Sequence, residues 1–152
     1  MRISEVSHVT YFAYGHNTNN SEMKRRCPSA KLLGTGVLKN FEFVLKHFAD
    51  IEHKEDAACY GVVWEITRDD LDYLDKAEGY HKHYNRIMVE VHLGKKKIQA
   101  MAYIMEPDYE SEGLPTKKYV RMLAKGYEEN DIPIQQLEHA VDECIARNKS
   151  QK

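Results

Sequence analysis

Thr10-Tyr11-Phe12-Ala13-Tyr14-Gly15-His16-Asn17 is the stretch around which the rest of the chain is organised. Val9, Tyr11 and Phe12 bring the β-branched and aromatic content of a buried strand, and Gly15 breaks it. Behind the break stand His16, Asn17, Thr18, Asn19 and Asn20, all polar. A chain that leaves a core strand through glycine can turn successive backbone N–H groups towards a ligand, because glycine adopts dihedrals that other residues resist. With a helix start behind it, such a loop makes a site for an anion or a carbonyl oxygen. A plain surface turn is the alternative reading of the same residues.

Downstream, Ser21 or Asn20 can cap a short helix, Glu22 to Cys27, which Pro28 ends. Two strands are expected, Ala30 to Lys39 and Phe41 to Phe48, with a tight turn at Lys39-Asn40 between them. Gly34 and Gly36 mark a bend or a close backbone approach, as at a barrel corner. Ala49 to Ala57 is charged and reads as a loop. Cys59 to Ile66 is a further strand that carries the single tryptophan, Trp64, into the core. Thr67 caps a helix from Arg68 to Ala77, with Asp70 as the reciprocal member of a capping box and Gly79 as terminator. Tyr84 to Leu93 and Lys97 to Met105 flank Gly94-Lys95-Lys96, alternate apolar with polar side chains, and read as a hairpin. Glu106 to Pro115 is a loop, Thr116 opens a helix that ends near Gly126, and a last amphipathic helix covers Ile134 to Arg147. Strands arranged mostly in hairpins, with helices between and after them, argue for an α+β fold. Its expected centre is a small bent or closed antiparallel β-barrel with peripheral helices. Residues 1–147 form a single domain on this reading, and 148–152 a disordered tail.

The 152 residues hold 22 Lys and Arg against 24 Asp and Glu, a formal net charge of −2. Met23-Lys24-Arg25-Arg26 is the most basic run, and acidic residues balance it, so no nucleic-acid partner is expected. Cys27, Cys59 and Cys144 form no CxxC pair and leave an odd thiol, which fits a reducing, cytoplasmic setting. The N-terminus lacks an apolar run and no segment reaches transmembrane length, so neither a signal peptide nor a membrane partner is expected.

Glu78 is placed poorly for stability alone. It ends a helix whose terminal carbonyls already carry partial negative charge, where Lys or Arg would be favoured. A carboxylate there has a raised pKa, the more so if buried, and that suits a general base working near neutrality. A solvated glutamate at a helix end is the alternative. His81 and His83 have the spacing of two ligands on a strand, but no cysteine or carboxylate completes a set, and no metal is expected. Cys59 reads as a small core residue, and Cys27, at a helix end, sits where a thiolate is poorly stabilised. Asp69, Asp70 and Asp72 read as the acidic first turn of their helix. Ile134, Leu137, Val141 and Ile145 form an apolar stripe for core packing, with a homodimer interface as its other use.

Taken together, these stretches resemble the γ-glutamylcyclotransferase family, including its AIG2-like relatives. Tyr11 to Asn17 looks like that family's Tyr-Gly-Ser-Asn loop. Gly61 to Ile66, followed by Leu74-Asp75-Lys76-Ala77-Glu78-Gly79, is similar to its second signature, in which a helix-terminal Glu-Gly carries the catalytic carboxylate. Tyr84-Asn85-Arg86 fits its Tyr-x-Arg, and Tyr119 with Gly126-Tyr127 fits its later helix. The resemblance implies a β-barrel-like fold with a cavity beside the loop. It also implies a small-molecule γ-glutamyl substrate whose α-amine attacks its own γ-carbonyl, releasing 5-oxoproline and an amine or amino acid. Glu78 would be the general acid/base. The backbone N–H groups of Gly15, His16 and Asn17 would hold the α-carboxylate or the developing oxyanion. Tyr11, Tyr14, Tyr84 and Tyr119 would line the pocket, Tyr11, Tyr14 and Tyr119 as hydrogen-bond donors, and no metal or organic cofactor is implied. His16 stands where the family has serine. A loop acting through its backbone tolerates that change, whereas an imidazole at the pocket keeps open a non-catalytic ligand-binding protein or regulator on the same fold.

Overall fold

Strand β1, His8–Ala13, is buried through Tyr11, Phe12 and Ala13, and the sheet closes around it. The computed structural model describes residues 8–80, 82–107, 109 and 113–150. After β1 come a 3-10 turn at His16–Thr18, α1 (Asn20–Arg26), β2 (Lys31–Leu45), β3 (Ala49–Thr67) and α2 (Arg68–Ala77). The hairpin β4 (Tyr84–Leu93) and β5 (Lys96–Met105) follows, and α3 (Lys117–Glu129) and α4 (Ile134–Ser150) complete the chain. The strands form a closed barrel in the order β1-β3-β2-β4-β5. Antiparallel pairing joins β1 to β3, with Tyr11 opposite Trp64, β3 to β2, β2 to β4 and β4 to β5. The closing contact, Tyr11 opposite Met101 between β1 and β5, is parallel. The barrel is therefore mixed, where an antiparallel one was expected. A ring with an odd number of strands cannot alternate direction all the way round, so one seam must be parallel.

The largest difference from the sequence reading lies in β2 and β3. Lys39-Asn40 is a bend inside one continuous strand, and the reversal comes at 46–48, where Lys46 N donates to Phe48 O at 2.9 Å. Asn40 and Asp56 face each other across the bend, each with φ of 66°, and Asp56 N donates to Asn40 Oδ1 at 3.0 Å. Asn and Asp tolerate this left-handed conformation better than most residues. The charged segment 49–57 is thus a strand, not a loop. Burying Ile51 completely contributes about 1.5–3 kcal/mol. That exceeds the ~1 kcal/mol spread of strand propensities that the surrounding Asp, Glu and Lys weigh against. Gly34 (φ 139°) sits at a register shift, and a Cβ on Gly36 would lie 2.5 Å from Val91 Cγ1, so both mark the close packing anticipated at a barrel corner.

Smaller differences concern the helices. Asn19 caps α1, its Oδ1 accepting from Glu22 N at 3.1 Å, in place of Asn20 or Ser21. Helix α3 passes through Gly126 to Glu129. Helix α4 continues through Ser150, so Asn148 to Ser150 are helical rather than a frayed tail, and residues 151–152 lie outside the described residues. The buried face of α4 is Leu137, Ala140 and Cys144, with Val141 packed beside it, while Ile134 and Ile145 are exposed. Among the described residues no helix is long and apolar enough to cross a membrane.

Candidate active site

A cavity of about 540 Å³ opens at the end of the barrel where β1 and β5 finish and β4 begins. Tyr11, Tyr14, Gly15, His16, Asn17, Glu78, Tyr84 and Tyr119, all picked out from the sequence, line it together. Its first wall is the loop after β1. The 3-10 turn makes its first bond from Thr18 N to Gly15 O at 3.0 Å, doubled by Thr18 Oγ1 to the same oxygen at 2.8 Å. The N–H groups of His16 and Asn17 precede that bond and have no partner within the turn, as at any helical N-terminus. The loop is held rigidly from behind. Trp64 Nε1 donates to Asn17 O at 2.9 Å, and Asn130 Nδ2 donates to Thr18 O at 2.9 Å. Helix α3 seats against it at Gly126, where a Cβ would fall 2.6 Å from Thr18 Oγ1.

The second wall is the end of α2. Its start is locked by the predicted capping box: Asp70 N donates to Thr67 Oγ1 and Thr67 N to Asp70 Oδ2, both at 3.1 Å. Glu78 is the C-terminal cap, and Gly79 (φ 61°) ends the helix behind it. The Glu78 side chain is 20% exposed and meets Arg26 NH1 at 3.9 Å. Among the described residues nothing hydrogen-bonds its carboxylate. Burial raises its pKa above the ordinary carboxylate range, and Arg26 pulls it part of the way back.

The tyrosines divide by where their protons go. Tyr14 OH donates to Tyr103 O at 2.7 Å, Tyr84 OH to Ala49 O at 2.7 Å, and Tyr103 OH to Asp75 Oδ1 at 2.6 Å. These three are committed to the protein, so Tyr14 lines the cavity without being the donor to a ligand that the sequence suggested. Tyr11 OH accepts from Asn17 Nδ2 at 3.0 Å, and Tyr119 OH accepts from Ala49 N at 3.2 Å. Each of those two keeps an O–H to give. Burial pushes both phenols well above their usual range, so they remain protonated.

His16 is tied to α1, its Nε2 lying 2.7 Å from Glu22 Oε1. Burial and then Arg26 lower the imidazole's pKa, so it is neutral near pH 7 and Nε2–H donates to the carboxylate. A hydrogen bond from Arg25 at 2.9 Å, with help from His16, holds Glu22 down to about 2.

Sequence reasoning missed Arg26, Phe48, Ala49, Tyr103 and Tyr109 as lining residues. Arg26 belonged to a basic run weighed only as net charge, and Phe48 and Ala49 were hidden by the misplaced β2–β3 turn. His83, weighed as a metal ligand, lines the cavity and stacks on Tyr109 with ring centroids 4.4 Å apart. His81 lies outside the described residues, and among those described no three His, Cys, Asp or Glu side chains are grouped to hold a metal. Burial drives the Cys27 thiol up to about 12 and raises that of Cys59 further, in keeping with inert core thiols.

The arrangement gathers a carboxylate of raised pKa, the leading residues of the 3-10 turn and two phenol donors around space for a small molecule. Known proteins share the frame. A gamma-glutamylcyclotransferase of Homo sapiens is 28% identical over 140 residues, covering 82% of this chain and 73% of the relative. That of Bos taurus is 27% identical over 150 residues, covering 89% and 78%. A solved structure named gamma-glutamyl cyclotransferase superposes with a TM-score of 0.78 at 27% identity, covering 88% of this chain and 86% of that one. Residues 58–139, from the middle of β3 into α4 and including Glu78, match the AIG2-like family, and to that family this chain belongs.

Proposed function

We propose that the protein is a γ-glutamylcyclotransferase acting on a small γ-glutamyl amide, with Glu78 as the acid/base. The observation that carries this reading is the Glu78 carboxylate: largely buried, without a hydrogen bond among the described residues, and lining one cavity with the Gly15–Asn17 loop. Glu78 takes a proton from the substrate's α-ammonium, and the freed amine attacks the γ-carbonyl carbon, forming the ring C–N bond. The oxyanion that develops is met by the N–H groups of His16 and Asn17, with the Tyr119 hydroxyl beside them: a Cβ on Gly15 would lie 3.5 Å from it. Collapse of the intermediate breaks the exocyclic C–N bond as Glu78 returns its proton to the leaving nitrogen. The ring nitrogen, which keeps two protons after attack, gives one to the regenerated carboxylate, which passes it on to the departing amine. 5-Oxoproline and an amine result, with no water consumed. The rigid cavity supplies the folded substrate conformation, which is most of what an intramolecular reaction needs. The His16 side chain is held on Glu22, which leaves the backbone as the working part of the loop and supports turnover despite the missing serine. A cytoplasmic setting, without nucleic-acid or membrane partners, accompanies this reading and is supported by the near-neutral charge and the unpaired thiols.

The test is 5-oxoproline release from a panel of γ-glutamyl amino acids, γ-glutamyl amines and glutathione, with Glu78→Gln in parallel. Release by the natural protein and a loss of about 10²–10⁴-fold in the variant are expected. Equal rates in both would remove Glu78 as the base.

A further inference from the structure

We propose that Arg26 binds the substrate's α-carboxylate, so that Arg26 and Glu78 together grip the two charged groups of one α-carbon. The inference rests on the γ-glutamyl reading above and assigns a recognition residue to it. Three observations carry it.

Arg26 is the one lysine or arginine among the described residues that line the cavity. Its side chain is only 17% exposed, yet its contacts there are loose: NH1 lies 3.4 Å from Asn17 Oδ1 and 3.9 Å from Glu78 Oε1. A guanidinium has five N–H donors, and a mostly buried one held by long contacts has capacity left for an anion. An α-amino acid group carries its ammonium nitrogen and carboxylate oxygens about 2.7–3.5 Å apart by standard bond lengths. That spacing and order of charge complement an arginine and a glutamate 3.9 Å apart. Placing the carboxylate on Arg26 puts the ammonium beside Glu78, where its proton has to go.

The assignment also resolves which group the loop serves. With the carboxylate on Arg26, the N–H groups of His16 and Asn17 are left for the oxyanion, so ground-state binding and transition-state stabilisation fall to different groups.

The experiment compares the binding of L-5-oxoproline with that of 2-pyrrolidinone, the same lactam without the carboxylate. Titration calorimetry follows both, with Trp64 emission as a second signal, because its Nε1 is bonded to the loop at Asn17 O. The natural protein should prefer 5-oxoproline by at least about tenfold, as a charge-assisted hydrogen bond warrants. Arg26→Gln should bring the two ligands within about twofold, and Arg26→Lys, which keeps the charge and loses the fork, should fall between them. A preference that survives in Arg26→Gln, or none in the natural protein, would overturn the assignment. Thermal unfolding of both variants separates loss of the anchor from loss of fold, and a poorly folded Arg26→Gln leaves the decision to Arg26→Lys. The readout is equilibrium binding, so a carboxylate preference in a protein that releases no 5-oxoproline would retain Arg26 as the anion anchor and refute the cyclotransferase reading alone.

Discussion

Replacing Gly126 with alanine should destabilise the protein and damage the site together, against the usual effect of that substitution. In an exposed helix interior Gly→Ala gains about 1 kcal/mol. Here the added Cβ would lie 2.6 Å from Thr18 Oγ1 and 2.7 Å from both Thr18 C and Asn19 N, where ordinary contact begins near 3.4 Å. Two of those atoms are backbone, and none is free to give way. Thr18 N and Oγ1 both bond Gly15 O, and Thr18 O accepts from Asn130, whose amide also donates to Gly126 O at 3.2 Å. Relief requires α3 and the loop to separate by about 0.7 Å. Overpacking of this kind costs about 1–3 kcal/mol. Stretching one or two buried hydrogen bonds adds about 1 kcal/mol each. Less the propensity gain, the net loss is about 1–4 kcal/mol, at roughly 2–4 °C of Tm per kcal/mol in a domain of this size. Urea unfolding followed by Trp64 emission measures it, since Trp64 reports on the same loop through Asn17 O. KM for the γ-glutamyl substrate should rise alongside. A variant about 1 kcal/mol more stable, with unchanged kinetics, would refute the argument, because α3 would then not be seated on the loop.

Two further perturbations separate function from stability. Glu78 has a folded pKa above its unfolded one, so the folded protein binds more protons at this group; stability falls as pH rises from the ordinary carboxylate range through the raised value. Glu78→Gln should therefore melt above the natural protein at pH 7, with the advantage shrinking towards pH 4; an equal or lower Tm at pH 7 would contradict a desolvated carboxylate. Tyr84→Phe and Tyr119→Phe each remove one bond to the Ala49 backbone and should each cost about 1 kcal/mol in urea unfolding. Tyr119→Phe alone also deletes an available donor, so its kcat/KM should fall about tenfold or more against little change for Tyr84→Phe, and parity of the two would refute the division of the tyrosines.

Local signals in the sequence served well, and pairings between distant residues did not. The capping box of Thr67 and Asp70 is a three-residue pattern with its own chemistry, so α2 and the cap position of Glu78 could be read from the chain. The break at Gly15 and the turn at Gly94 are equally local. At Asn40 the local signal is present and ambiguous: a left-handed Asn suits a turn or a bend, and only Asp56, 16 positions on, decides for the bend. Ile51 stands alone among charges, so its burial follows from the strand opposite and not from periodicity. Strand β5 is buried on both faces from Ala100 to Tyr103 because it closes the ring, and the alternation expected of a hairpin is lost there. Arg26 had the same defect as a signal. Nothing in Met23 to Arg26 distinguishes the residue that turns into the cavity from its neighbours, until the end of α1 is set beside Glu78.

The parallel seam explains why the cavity sits where it does. Because β1 and β5 run in the same direction, their C-terminal ends emerge side by side, and residues nearly 90 positions apart meet there. The bond from Tyr14 OH to Tyr103 O, buried and 2.7 Å long, fastens those two ends. Tyr103 in turn holds Asp75 of α2, three residues before Glu78, so barrel closure positions the helix that carries that carboxylate. The same helix accepts a carboxylate at its unfavourable end, and the capping box at its other end, worth about 1 kcal/mol, offsets part of that cost. The Gly15–Asn17 turn is held independently of α2, by Trp64 Nε1 on Asn17 O and Asn130 Nδ2 on Thr18 O, so the two walls of the cavity are fixed by separate parts of the fold.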